Sequence, residues 1–256
     1  MKISGNTILV TGGGSGIGQA LARRLHALGN TVIVAGRRIE ALQQTIADRP
    51  NMHAMVFDAD SAEGVADFVR RVTAEHPALN VVVNNAGIMR FEELGRYREL
   101  EDAEATVTTN LLGPIRLTNA LVEHLGRQPN AALVNVTSGL AFVPLIASPT
   151  YSATKAAMHS YTVALREALL GKIEVIELVP PAVQTDLTPG QSTRTGYMPL
   201  SEFIDEVMLL LQQRPTPHEI LVQRVTFLRN AEAEGRFEDA VRVLNETTSQ
   251  AREAER

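Results

Sequence analysis

The stretch 7-TILVTGGGSGIGQALARRLHALG-29 decides how the chain is read. TILVTG (7–12) is a short, largely β-branched apolar run of the kind that forms a strand buried on both faces. The glycine-rich 11-TGGGSGIG-18 follows at once, and then a segment with apolar residues at 17, 21, 25 and 28 that Gly29 closes. Strand, glycine turn and helix in direct succession put free N–H groups and the positive end of a helix dipole at the edge of a sheet. In a doubly wound fold that is where a pyrophosphate binds. Gly12, Gly16 and Gly18 answer to a tight turn, close backbone approach and helix–strand packing; with Gly14, Ser15 and Ile17 they are the expected phosphate-side contacts. Three residues separate Gly12 from Gly16, so the loop is not the GxGxxG form. A glycine-rich turn alone is also compatible with a surface loop, and it is the flanking strand and helix that favour a nucleotide.

The same alternation continues outward. Apolar, β-branched runs recur at TVIVAG (31–36), HAMVFD (53–58), NVVVNNAG (80–87), ALVNVTS (132–138), IEVIELVP (173–180) and EILVQ (219–223), separated by amphipathic segments. Short continuous apolar runs alternating with helical patterns predict parallel strands and βαβ units, hence a doubly wound sheet of about seven strands with helices on both faces. No repeat, low-complexity tract or linker interrupts them. The reading is one domain over 1–229, with a polar loop at about 186–205, and a charged helical tail over 230–256.

Composition limits the function classes. At 256 residues, 45% hydrophobic and 21% charged, the chain has the make-up of an ordinary globular protein. A net charge of −5 argues against a nucleic-acid partner. The absence of cysteine excludes disulfides and thiolate metal sites. No run approaches the roughly 20 apolar residues of a membrane span, and the N-terminus has no signal-peptide pattern, so a cytoplasmic location is expected. The six histidines show neither HxxH nor HExxH spacing, so no metal site is expected.

The second predicted strand ends in 35-AGRR-38. A site selective for NAD places a carboxylate there for the ribose 2′-hydroxyl, whereas arginine suits a 2′-phosphate. Gly36 removes the carboxylate, and Arg37 and Arg38 supply guanidinium groups able to bind phosphate bidentately, which favours NADP(H). Two solvated arginines at a helix start are the plainer alternative, and Ser15 is not the extra basic residue many NADP sites carry.

Tyr151 and Lys155 in 148-SPTYSATKAAMHSY-161 are spaced i, i+4, which sets both side chains on one helical face. Taken with TGGGSGIG, with NNAG at 84–87 and with Ser138 upstream, this pair makes the chain resemble the short-chain dehydrogenase/reductase superfamily over about residues 5–190. The stretch from NVTSGLAFVP through YSATKAAMHSYTVALRE is similar to a bacterial subgroup of oxidoreductases named for lipoteichoic-acid D-alanylation. The resemblance implies a Rossmann-type fold. Tyr151 is then the general acid/base, Lys155 the ammonium that favours the phenolate and holds the nicotinamide ribose, and Ser138 a hydrogen-bond partner of the substrate oxygen. Asn110, in 108-TTNLLGP-114, matches the asparagine that holds a relay water.

The resemblance further implies that Asp58 and Ala59 contact adenine and that Asn85, Ala86 and Gly87 line the cofactor, with Asn84 open to a structural role. Pro181, Val183 and Thr185 fall near the carboxamide. At 180-PPAVQT-185 the chain has Pro-Pro where the family has Pro-Gly; proline lacks the N–H and the positive φ of glycine. Phe142 and Leu145, with Val143 and Ile146, are candidates for an apolar substrate wall, the alternative being ordinary core. Leu187, Tyr197 and Met198 in 186-DLTPGQSTRTGYMPLSEF-203 are candidates on a lid. His159 is expected in the fold or a subunit contact rather than in a relay. The implied activity is an NADP(H)-dependent carbonyl reductase or alcohol dehydrogenase acting on a small-molecule ketone, aldehyde or alcohol, as a homodimer or homotetramer. A non-catalytic dinucleotide sensor is the alternative.

Overall fold

The computed structural model describes residues 1–253. Its seven strands are β1 (Thr7–Thr11), β2 (Thr31–Gly36), β3 (Met52–Val56), β4 (Leu79–Asn84), β5 (Ala132–Val136), β6 (Glu174–Val179) and β7 (Glu219–Leu221). They form one parallel sheet in the order β3-β2-β1-β4-β5-β6-β7. The chain winds outward from β1 to β3 and then returns to β4 beside β1. That reversal opens a crevice beyond the carboxyl ends of β1 and β4, the place where such sheets bind ligands.

Parallel pairing requires crossovers, and helices supply them: α1 (Gly16–Ala27), α2 (Ile39–Ile46), α3 (Ala62–Glu75), α4 (Glu101–Val107), α5 (Gly113–Leu125), α6 (Pro149–Ala168) and α7 (Leu200–Leu211). A π-helical turn, Thr108–Leu112, joins α4 to α5. The apolar runs of the sequence are continuous because alternate residues enter two different cores. Ile8, Val10, Val32 and Val34 pack with Leu21 and Leu25 of α1, Leu42 of α2 and Phe203 of α7. Leu9, Ile33 and Val82 pack on the opposite face with Phe68 of α3 and with Leu117, Leu121 and Leu125 of α5. Each such fully buried side chain contributes about 1.5–3 kcal/mol.

The tail differs from the expected helix over 230–256. After α8 (Thr226–Arg229) the chain turns, with Gly235 at φ +67°, and α9 runs Phe237–Glu253. Residues 254–256 lie outside the described residues. The tail packs back on the domain: Ala231 and Ala240 are buried with Val143, and Asn245 accepts from the Ile146 amide (2.7 Å) and donates to the Pro144 carbonyl (3.2 Å).

Candidate active site

The glycine loop is shaped by what surrounds it. Gly12 and Gly16 adopt left-handed backbone (φ +66° and +52°), which glycine takes without steric cost. A β-carbon on Gly12 would lie 2.9 Å from the Ala86 Cα, and one on Gly18 2.4 Å from the Gly12 carbonyl oxygen. Gly18 therefore keeps α1 tight against β1 and does not line the crevice. The first-turn N–H groups of α1 have no intrahelical partners, and the Ser15 side chain makes no cap hydrogen bond to them. Thr11 latches the NNAG segment to this loop, its Oγ1 accepting from the amides of Asn85 (3.0 Å) and Ala86 (3.1 Å). Asn84 is structural: it donates to Asn135 Oδ1 (2.8 Å) within the sheet.

A cavity of about 520 Å³ occupies the crevice. The structure brings to its wall Gly12, Gly14, Ser15, Gly16 and Ile17 from the loop, Arg37 and Arg38 after β2, and Asp58 and Ala59 after β3. Asn85, Ala86 and Gly87 follow β4; Pro181, Val183 and Thr185 follow β6. Arg37 is more than half exposed and lies 3.8 Å from Asp60, so it stands at the rim. Pro181 is accommodated because the segment beyond it pairs with the loop: Met198 donates to the Ala182 carbonyl (2.9 Å) and accepts from the Gln184 amide (2.9 Å).

Ser138, Tyr151 and Lys155 stand on the same wall. Ser138 follows β5, where its Oγ accepts from the Leu140 amide (3.1 Å) and a short 3-10 turn begins. Tyr151 and Lys155 are both buried on one face of α6, with the Lys155 Nζ 5.5 Å from the Tyr151 ring centre. Burial pushes the Tyr151 hydroxyl up to about 12, with a hydrogen bond from Ser138 acting the other way. Burial draws Lys155 down to about 8, opposed by the charge of Glu177. Lys155 donates to the Val136 carbonyl (2.8 Å). Asn110 is not on the cavity wall. It sits in the π turn, a feature that frees backbone groups near functional sites. Its side chain is held by Ile88, accepting from the amide (2.8 Å) and donating to the carbonyl (2.8 Å).

Of the seven substrate candidates the structure brings only Leu187 to the cavity; Val143 is buried against the tail and Ile146 is exposed. Phe142 is instead held between His159 (ring centres 4.8 Å apart) and the Arg229 guanidinium (4.6 Å). Leu145 is buried, its amide donating to Ser152 Oγ (3.1 Å). Tyr197 stacks with Arg194, and Met198 is buried in the core beside Val183. The others lie elsewhere: the segment after Ser138 is tied by the Gly139 amide to the Pro180 carbonyl (2.9 Å) and packs against the tail through Val143 and Ile146, while Met198 pairs with 182–184. Ile88, Arg90, Asp60 and Gln191 line the cavity and were not singled out by the sequence. Ile88 directly follows NNAG and Asp60 lies two past Asp58, so both had a local signal. Gln191 had none: it is buried inside the polar loop, donating to Val183 O (2.9 Å) and Thr185 Oγ1 (3.2 Å).

A family model described as short chain dehydrogenase matches residues 6–195. The uncharacterized oxidoreductase DltE of Bacillus subtilis is 39% identical over 240 residues, 90% of this chain and 93% of that one. Among solved structures, a short chain dehydrogenase from Burkholderia cenocepacia in complex with NADP is 25% identical with a TM-score of 0.82, covering 96% of this chain and 100% of that one. The 3-ketoacyl-(acyl-carrier-protein) reductase from Brucella melitensis, complexed with NADH, is 25% identical with a TM-score of 0.75, covering 84% and 94%. No helix among the described residues is long and apolar enough to cross a membrane.

Proposed function

The chain belongs to the short chain dehydrogenase family of oxidoreductases, and we propose that it is an NADP(H)-dependent enzyme interconverting a small or medium ketone or aldehyde with its alcohol, with Tyr151 as general acid/base. The observation that carries this reading is the convergence of Ser138, Tyr151 and Lys155 on the cavity that also holds the glycine loop. The residues present fit a dinucleotide. Glycines 12, 14 and 16 leave those positions of the loop without β-carbons, and the open N–H groups of α1 suit a pyrophosphate. Arg37 and Arg38 stand at the end of β2, where a 2′-phosphate falls in this fold. When bound, the nicotinamide supplies hydride in reduction and accepts it in oxidation.

The chain's own residues handle the proton. Tyr151 is protonated through neutrality, and burial raises its value further, so its hydroxyl has a proton to give the carbonyl oxygen, as a general acid must. Ser138 is placed to donate to the same oxygen as charge develops on it. In oxidation the proton has to leave Tyr151, and the Lys155 ammonium beside it favours the resulting phenolate. Asn110, anchored to Ile88, keeps the π turn beside Gly87 in place, and its role is to support a relay water. Leu187 and Ile88 would meet the substrate. The reading extends to a cytoplasmic homodimer or homotetramer; light scattering that returned a monomer at micromolar concentration would remove the oligomer.

The test is absorbance at 340 nm with NADPH, and separately NADH, over a panel of ketones and aldehydes. Turnover with NADPH should fall about 10²–10⁴-fold in Tyr151→Phe with cofactor affinity retained. Normal turnover in that variant would refute the mechanism, and equal rates with NADH would remove the cofactor assignment. Binding of cofactor without turnover on any member of the panel would point to the sensor.

A further inference from the structure

One residue buried beside the site, Glu177, takes no part in the proton chemistry proposed for Tyr151. Glu177 lies on β6, fully buried among apolar strand residues. A carboxylate costs several kcal/mol to bury unless it is well partnered. Its partners are specific. Thr137 Oγ1 donates to Oε1 (2.7 Å), and His159 Nδ1 lies 2.8 Å from Oε2. Thr137 is the residue before Ser138, and its amide binds the Leu178 carbonyl (2.9 Å) next to Glu177. Lys155 meets the same strand end from α6, the helix that also brings His159 to Glu177, and donates to the Val136 carbonyl. The ammonium thus holds Val136 and the carboxylate holds Thr137, the two residues that lead into Ser138.

The charged groups around this pair come from three further places. α6 contributes His159 and Arg166, β7 contributes Glu219, and Arg229 of α8 donates to both Glu219 oxygens (2.6 and 2.9 Å). Donor atoms of His159, Glu177 and Glu219 lie within 4.8 Å of one another, as in a metal-ligand set. Arg229 already balances that cluster on Glu219, so no metal ion is needed to account for it.

We propose that Glu177 is a positioning residue of the active site: its carboxylate is the built-in counter-charge that keeps Lys155 an ammonium, and through Thr137 it holds the strand end carrying Ser138. Its consequence for turnover rests on the oxidoreductase reading; the charge pairing itself does not. Desolvation drives Lys155 toward the neutral amine and Glu177 opposes it. A neutral lysine would neither favour the Tyr151 phenolate nor carry charge into the cavity. Sequence spacing gives no hint of the pairing, because Glu177 sits in a strand and Lys155 in a helix.

The chain has three lysines, Lys2, Lys155 and Lys172. Protein labelled with ¹³C at lysine Cε therefore gives a short spectrum, in which Lys155→Met assigns the buried signal. Without cofactor, Lys155 should titrate near pH 8. In Glu177→Gln, which keeps the side-chain shape and removes the charge, the midpoint should fall by about one pH unit, a tenfold loss of proton affinity. Glu177→Asp, retaining charge, should titrate above the Gln variant. Should Gln not fold, Glu177→Met suits the apolar strand and removes the same charge. In activity, the alkaline fall of kcat/KM for carbonyl reduction should move to lower pH in step with the lysine midpoint, a shift that a merely structural defect would not produce. An unmoved Lys155 midpoint in the variant lacking the charge overturns the proposal. A moved midpoint without turnover on any carbonyl leaves the pairing standing and points to the dinucleotide sensor instead.

Discussion

Replacing Lys155 by methionine should change the pH dependence of stability in a defined way. In the unfolded chain a lysine titrates at its ordinary 10.5, whereas burial brings Lys155 to about 8 in the fold. Between those values the unfolded chain binds more protons, so stability rises with pH there, and below about pH 8 the full penalty of the buried ammonium is in force. A gap of about 2.5 pH units at 1.36 kcal/mol each is about 3 kcal/mol. Tyr151 acts in the opposite sense higher up: with its folded value raised to about 12, its contribution is intact below pH 10 and is lost as pH rises from there. Lys155→Met also loses the bond to Val136 and leaves Glu177 without its counter-charge, which offsets the variant by an amount nearly constant over the window. The slope of the difference is therefore the readout. Melting curves of both proteins without cofactor, from pH 7 to 10.5, should show the variant's relative Tm declining by about 6–12 °C across the range, at about 2–4 °C per kcal/mol for a domain of this size. A difference flat in pH would mean that Lys155 titrates as a solvated lysine, and would refute the account of its burial.

Gly18→Ala would press a β-carbon against the Gly12 carbonyl and the Asn85 amide, both at 2.4 Å, so the loop must shift. A cost of about 1–3 kcal/mol should appear as a lower Tm, with NADPH binding weakened in a fluorescence titration; unchanged binding would disconnect α1 packing from the loop. Joint Arg37→Ala and Arg38→Ala should weaken NADPH by about 10–150-fold, the worth of about 1.5–3 kcal/mol for charge-assisted hydrogen bonds, and leave NADH affinity unchanged; equal loss for both cofactors would remove the 2′-phosphate contact. Gln191→Ala removes the donors that tie the 186–199 loop to Val183 and Thr185. Limited proteolysis should then cut within that loop faster than in the parent, and equal cleavage rates would show that the loop is closed by other contacts.

How far the sequence disclosed this molecule depends on the range over which each feature is encoded. The strands were legible because both faces of the sheet are covered, so Ile8 and Val10 serve one core while Leu9 serves the other and the run stays apolar throughout. The glycine loop was legible because its chemistry lies within eight consecutive residues. Phe142 and Leu145 are near Ser138 in sequence but not near the cavity. That segment instead lies against the tail, with the Gly139 amide bound to the Pro180 carbonyl and Val143 buried beside Ala231 and Ala240. Gln191 and Glu177 carried no local pattern at all, since their partners come from other elements.

The face proposed for catalysis is built against the grain of folding. Tyr151 and Lys155 are driven toward their neutral forms by the sheet and helices that bury them, and only the first state is useful to a general acid. A more exposed lysine would cost less, but in water its charge would act on the phenol far more weakly, because Coulombic interaction scales inversely with the local dielectric. Burial is thus the source of both the penalty and the leverage. The site can keep both only if the ammonium has a fixed opposite charge close enough to oppose its loss and far enough not to quench it in a direct ion pair. Glu177 meets that condition: it is tied to Thr137 and His159, while Lys155 is tied to Val136.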